Sequence, residues 1–235
     1  YYFKDLGESK GHTWCSEKIL RAAISNNIYE CCNKVDWLLE NNDFLHIDNG
    51  RIGLKYYYDI EMQIYHLILN KSQIETTINI SNEAIDKAIK HAEEEQGFDY
   101  VVEQLDTIHK SLHRTVSLIT GKAGTGKTSI MRAIVKAYME NNYMMTASAL
   151  SAMAAQRITE ATEFPAMTIH RTLGCQGLND FTYNKDNHLI TDVAFLDEGS
   201  MVNASLFLHW LEAIGDNTRI IISGDHKQLP PIGFG

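Results

Sequence analysis

The stretch LITGKAGTGKTSI, Leu118 to Ile130, constrains this chain more than any other. Within it GKAGTGKT, Gly121 to Thr128, follows the apolar run TVSLIT and precedes KTSIMRAIVKAYMENN, whose spacing predicts a helix. A strand, a glycine-rich turn and a helix start, in that order, make a phosphate-binding loop. The glycines let backbone N–H groups curl around an anion, and the helix start adds partial positive charge. The pattern predicts that Gly121, Ala123, Gly124, Thr125, Gly126, Lys127, Thr128 and Ser129 surround the phosphates of a nucleotide. Lys127 is expected to neutralise the β and γ phosphates, and the Thr128 hydroxyl to ligate Mg²⁺.

The sequence downstream keeps the same rhythm. YMMTAS, VAFLDE and RIIISGD read as strands, with SAMAAQRITEAT and SLFLHWLEAIG as the helices between them. Alternation of this kind implies a parallel sheet with helices on both faces, an α/β fold. Ligands in such sheets bind at the carboxyl ends of the strands. Two further polar pairs fall at those ends. Asp197 and Glu198 close one strand, Asp197 for Mg²⁺ and Glu198 to deprotonate the attacking water. Gly224 and Asp225 close the next and are followed by Gln228, a candidate sensor of the terminal phosphate.

The first half differs. Residues 1–70 read as short helices with a hairpin at DNGRIGLKY, a small, mostly helical, winged-helix-like module. Residues 71–100 are polar and helical, with Ser81 as an N-cap and Gly97 as a stop, and are expected to link that module to a motor-like domain over 101–235. The first 100 residues carry 10 Lys+Arg against 17 Asp+Glu, and the whole chain has a net charge of -9. That balance excludes a general polyanion-binding surface, so nucleic acid would need a local groove. No apolar run nears the roughly 20 residues that span a bilayer, which argues for a soluble, cytoplasmic protein. The four cysteines, Cys15, Cys31, Cys32 and Cys175, lack metal-ligand spacing and are expected to be buried thiols.

Taken together, the glycine loop, DEGSMV and GDHKQLPPIG resemble motifs I, II and III of the RecD-like branch of superfamily 1 DNA helicases. ALSAMAAQRITEAT and AMTIHRTLG resemble that family's motif Ia and the segment after it, and the LGESKGHTWCSEKIL region resembles the module that precedes the motor in its longer, stand-alone members. The resemblance implies a RecA-like phosphate-loop NTPase fold for residues 101–235, with ATP and Mg²⁺ as cofactors. It makes Gln104, 17 residues before Gly121, the adenine-recognising glutamine, although an exposed helix residue would read the same way. It implies single-stranded and duplex DNA as partners, with Thr146, Ser148, Thr168, His170 and Arg171 on the DNA side. ASALSAMAA lacks the basic residue that relatives often carry there. Residues 174–190 fall where the family inserts a duplex-parting pin; a surface loop is the alternative.

The resemblance further implies that motifs IV to VI, and the transition-state arginine of a second motor domain, lie outside these 235 residues. The expected function is thus a fragment of an ATP-dependent 5′ to 3′ DNA helicase, with hydrolysis driving translocation and unwinding in the intact protein. Two alternatives remain, a non-catalytic nucleotide-dependent interaction module and a different phosphate-loop enzyme. The acidic first module is as suited to protein partners as to DNA.

Overall fold

The computed structural model describes residues 3, 6, 12–27, 35–41, 43–122, 124–177, 180–225, 231, 233 and 234. The chain divides into two compact units, one of residues 1–66 with 202–208 and 230–235, the other of 67–201 with 209–229.

In the first unit β1 (Trp14–Ser16) leads into α1 (Glu17–Asn27) and α2 (Val35–Glu40), followed by β2 (Leu45–Asp48), β3 (Arg51–Leu54) and the start of α3 (Lys55–Gln73). The expected hairpin forms because Asn49 and Gly50 both take positive φ, 47° and 74°, the mirror-image turn that matches strand twist. The sequence pointed to two strands, but the sheet has three, in antiparallel order β1-β3-β2. Trp14 pairs with Gly53 and Cys15 with Ile52. A three-residue strand is too short to show alternation. Gly53 makes the pairing possible, since a Cβ there would lie 2.5 Å from the Thr13 carbonyl oxygen. Ile52, fully buried, centres a small core with Cys15 and Leu20.

The second unit is built on a five-stranded parallel sheet in the order β4-β10-β9-β5-β6. Its strands are β4 (Val116–Thr120), β5 (Met145–Ala149), β6 (Ala166–Thr168), β9 (Val193–Asp197) and β10 (Arg219–Gly224). Its main helices are α4 (Asn82–Gln96), α5 (Val102–His113), α6 (Lys127–Glu140) and α7 (Ala152–Thr162). Short α8 (Ile169–Thr172) and an antiparallel hairpin, β7 (Cys175–Gly177) with β8 (Asp180–Phe181), lie between β6 and β9. The hairpin occupies the segment where a pin or a loop was expected. A 3₁₀ turn (Gly199–Met201) and α9 (Ala204–Glu212) connect β9 to β10.

All six residues of β10 are buried, as suits a strand paired on both sides. Alternation sends Val193 and Phe195 of β9 to one face, where they join the main core, and Ala194 and Leu196 to the other, where they are also buried. Coverage ends at the β4 edge, where Leu118 is 67% exposed.

α6 is apolar over more than one face because it packs against α4, α5 and α7. This corrects the reading of 71–100 as a linker. Ile85, Ala88, Ile89 and Ala92 of α4 are buried in the same core as α6, so the polar-looking helix is a wall of the second unit. Its many charges mask a four-residue apolar stripe. A second correction concerns the thiols. Cys15 is buried, but Cys175 is exposed at the start of the hairpin; Cys31 and Cys32 lie outside the described residues. No helix among the described residues is long and apolar enough to cross a membrane.

Arg219, at the start of β10, is 2% exposed. Its guanidinium donates to the Leu112 carbonyl, to the Ile78 carbonyl at 2.7 Å and to the Tyr138 hydroxyl at 3.3 Å, pinning α5, α6 and the segment before α4 to one strand. Truncating it strands two buried carbonyls, each at a cost of about 1–3 kcal/mol. Arg219→Met is expected to lower unfolding free energy by about 3 kcal/mol in urea titrations, with the denaturant slope unchanged.

Candidate nucleotide-binding site

The site is assembled at the carboxyl ends of three neighbouring strands. β4 and β10 run in register to their tips, Thr120 opposite Gly224. The first loop amide then continues the ladder, with Gly121 N–H donating to the Gly224 carbonyl at 3.3 Å. The loop is thereby tied to the β10 tip. Gly126 takes φ +82°, and a Cβ there would sit 2.3 Å from Gln104 Nε2. The positive φ favours glycine, and a Cβ there would also displace the Gln104 amide. Lys127 opens α6 and bends back over the loop, its Nζ donating to Gly121 O at 2.5 Å and to Lys122 O at 3.0 Å.

Gln104 is fastened at both ends of its amide. Oε1 accepts from Val101 N–H at 3.1 Å, and Nε2 donates to the Thr125 carbonyl at 3.3 Å. Valine has no side-chain acceptor, so this is half of a capping box, and its other product is a strut from α5 to the phosphate loop. Tyr100 adds a second strut, its hydroxyl donating to the Ser129 carbonyl at 2.6 Å. Burial pushes that phenol up to about 12, so it remains a donor throughout the neutral range.

Asp197 ends β9 opposite Ala149 of β5. Glu198 follows in the left-handed region, φ +54°, a conformation that costs a residue other than glycine about 1 kcal/mol or more. The turn is held by Met201 N–H donating to the Glu198 carbonyl at 2.9 Å, and by close passage over β10, where a Cβ on Gly199 would meet Ile222 at 2.6 Å. Burial, and then the charge of Asp197, raise the Glu198 carboxyl above its usual range, with Arg157 opposing both. A carboxylate displaced upward is a better proton acceptor near neutrality.

These groups line one cavity of about 400 Å³, a size suited to a nucleotide's phosphates and part of its sugar. Gly126, Lys127, Thr128, Asp197, Glu198 and Asp225 all face it. A hydroxyl and a carboxylate, Thr128 and Asp197, fit the sparse protein ligation that Mg²⁺ accepts when phosphate and water supply the remainder. Arg157 of α7 also lines the cavity and was not singled out in the sequence. The signal was present, since Arg157 borders the stripe Ala154 and Ile158, which are buried and face the same space. Ala123 and Gln228 lie outside the described residues.

The DNA-side residues separate into two groups. Ser148 is fully buried, and its hydroxyl shares a 3.0 Å hydrogen bond with that of Thr172. It joins β5 to α8 rather than meeting a ligand, which corrects its expected role. Thr168 caps α8, accepting from Arg171 N–H at 3.3 Å, and Thr146 sits half-buried near the start of β5, away from the strand tip. His170 and Arg171 are exposed, and the His170 ring lies 6.4 Å from Phe181 of the hairpin.

A family model described as an AAA domain matches residues 104–234, more than half of the chain. The chain is 28% identical to the RecBCD enzyme subunit RecD of Buchnera aphidicola subsp. Schizaphis graminum, over 93% of this chain and 41% of that protein. It is 34% identical to the ATP-dependent RecD2 DNA helicase of Deinococcus radiodurans, over 63% of this chain and 20% of that protein. The crystal structure of Pif1 helicase from Candida albicans aligns with a TM-score of 0.43 at 27% identity, covering 56% of this chain and 34% of that one. The chain thus spans less than half the length of these relatives. With the three strand-tip elements in their order and a family model spanning them, the chain belongs to the AAA-domain family, and it is similar to RecD-type proteins.

Proposed function

We propose that this chain is a fragment of an ATP-dependent DNA helicase that moves 5′ to 3′ along a single strand, holding an amino-terminal module and the first motor domain. The observation that carries the reading is the convergence of Lys127 and Thr128, Asp197 and Glu198, and Asp225 on one cavity at adjacent strand tips. Two relatives, a RecBCD enzyme subunit and an ATP-dependent DNA helicase, support the substrate and the cofactor.

In this mechanism the loop amides and the start of α6 hold the phosphates, and Lys127 exchanges its two carbonyl partners for phosphate oxygens. Thr128 and Asp197 would hold Mg²⁺, which supplies charge neutralisation between the outer phosphates. Glu198 orients the attacking water and takes its proton, helped by its raised affinity for one. Gln104, its amide held by Val101 and Thr125, is the candidate for the adenine edge. His170 and Arg171 are the exposed candidates for the single strand, near the hairpin that would part the duplex. An arginine from a second motor domain, as the family resemblance implies, would complete the transition-state charge and is worth about a thousandfold or more in rate. The first unit is available for protein partners, and a cytoplasmic location accords with DNA as substrate.

Three outcomes test this reading. Lys127→Ala is expected to weaken Mg·ATP and Mg·ADP binding alike by about tenfold or more, measured by calorimetry. Glu198→Gln should keep nucleotide affinity while lowering ATP turnover by about a hundredfold or more in single-strand-stimulated assays of the longer protein. If single-stranded DNA stimulates no turnover while Mg·ATP still binds, a nucleotide-dependent interaction module replaces the helicase reading. Because the folded-state carboxyl of Glu198 is raised, its contribution favours the fold when protonated and declines as pH climbs from the ordinary carboxylate range through the raised value. Glu198→Gln is therefore expected to stabilise the chain at neutral pH, with the gain in melting temperature shrinking as pH falls through that window.

A further inference from the structure

Arg157 is the cation facing the cavity that the mechanism above leaves without a task. It lies on α7, whose start is fixed by Ser151, the side chain accepting from Ala154 N–H at 3.1 Å. Ala154 and Ile158 turn inward on the same wall, so α7 carries Arg157 along the side of the cavity. Its only hydrogen bond among the described residues is a 3.8 Å contact from Nη2 to Met153 Sδ, and no carboxylate among them lies within ion-pairing distance. A thioether is a weak acceptor, so the planar fork of five N–H donors keeps nearly its whole capacity for an oxyanion.

The two cations of the cavity are held differently. Lys127 is bound to loop carbonyls at 2.5 and 3.0 Å, beside the stretch that grips the inner phosphates. Arg157 and Glu198 line the same cavity. Glu198 serves the water that attacks the terminal phosphate, and Arg157 shares with it a cavity in which Lys127 is already engaged by the loop. A diphosphate ends short of this region. A triphosphate extends into it with the most highly charged group of the chain.

We propose that Arg157 binds the terminal phosphate of a nucleoside triphosphate and makes the site selective for triphosphate over diphosphate from within a single domain. This rests on the nucleotide-site reading above and deepens it. Because α7 follows directly from β5 and Ser148 ties β5 to α8, the same contact links the state of the nucleotide to the element bearing His170 and Arg171.

The test is calorimetric titration of Mg·ADP and of the Mg complex of a β,γ-imido ATP analogue into the wild-type chain, Arg157→Gln, Arg157→Lys and Lys127→Ala. Arg157 is exposed, so the variants should fold, which far-ultraviolet circular dichroism and melting verify. Arg157→Gln is expected to lose about tenfold in triphosphate affinity while diphosphate affinity stays within about twofold. Arg157→Lys should recover part of the loss, and Lys127→Ala should weaken both nucleotides. Unchanged triphosphate binding in Arg157→Gln, or equal loss of both nucleotides, overturns the proposal while leaving the nucleotide site intact. Failure of the wild-type chain to bind either nucleotide overturns the site reading itself, and this proposal with it.

Discussion

The site depends on β10 lying between β4 and β9. That placement sets the tip of the phosphate-loop strand beside Gly224 on one side and carries Asp197 to within one strand on the other. It also lets the first loop amide bond to the Gly224 carbonyl, so that the loop is an extension of the sheet. A central parallel strand must be apolar on both faces, and Ile220, Ile221 and Ile222 meet that demand with complete or near-complete burial. Without them the three polar tips would have no common edge.

Rigidity is then supplied from behind the loop. Gln104 and Tyr100 reach from α5 and the segment before it to carbonyls of the phosphate loop and of the first turn of α6. The buried guanidinium of Arg219 fixes the opposite end of the same layer. Against this frame, Glu198 is the strained element. It keeps a left-handed backbone because Gly199 must pass close to Ile222, and its carboxyl is driven upward by burial and by Asp197. Strain and a displaced proton affinity at one residue accord with the role proposed for Glu198.

Legibility in the sequence followed the strength of the local signal. The loop, the strands ending in Asp197 and Gly224, and the hairpin turn at Asn49 and Gly50 were readable because each couples a periodicity to a demand for a particular residue type. α4 was misread because its charged face outnumbers the four buried positions, and a composition reading weights every residue equally. β1 was missed because three residues carry no period. Ser148 was a DNA-side candidate through its place in a stretch resembling motif Ia, and that stretch reads the same whether the hydroxyl faces a ligand or Thr172.

The sequence by itself determined the fold class, the phosphate loop and the acidic pair, since these depend on backbone freedom, on alternation and on residues adjacent along the chain. Only the tertiary structure decided the order of strands, the burial of α4, the withdrawal of Ser148 and the entry of Arg157 into the cavity. Each of these rests on contacts between residues far apart in sequence, such as Arg219 with Leu112 and Ile78, or Glu198 in the field of Arg157. No local pattern encodes which distant surface a side chain will meet, because that follows from the packing of helices on the completed sheet.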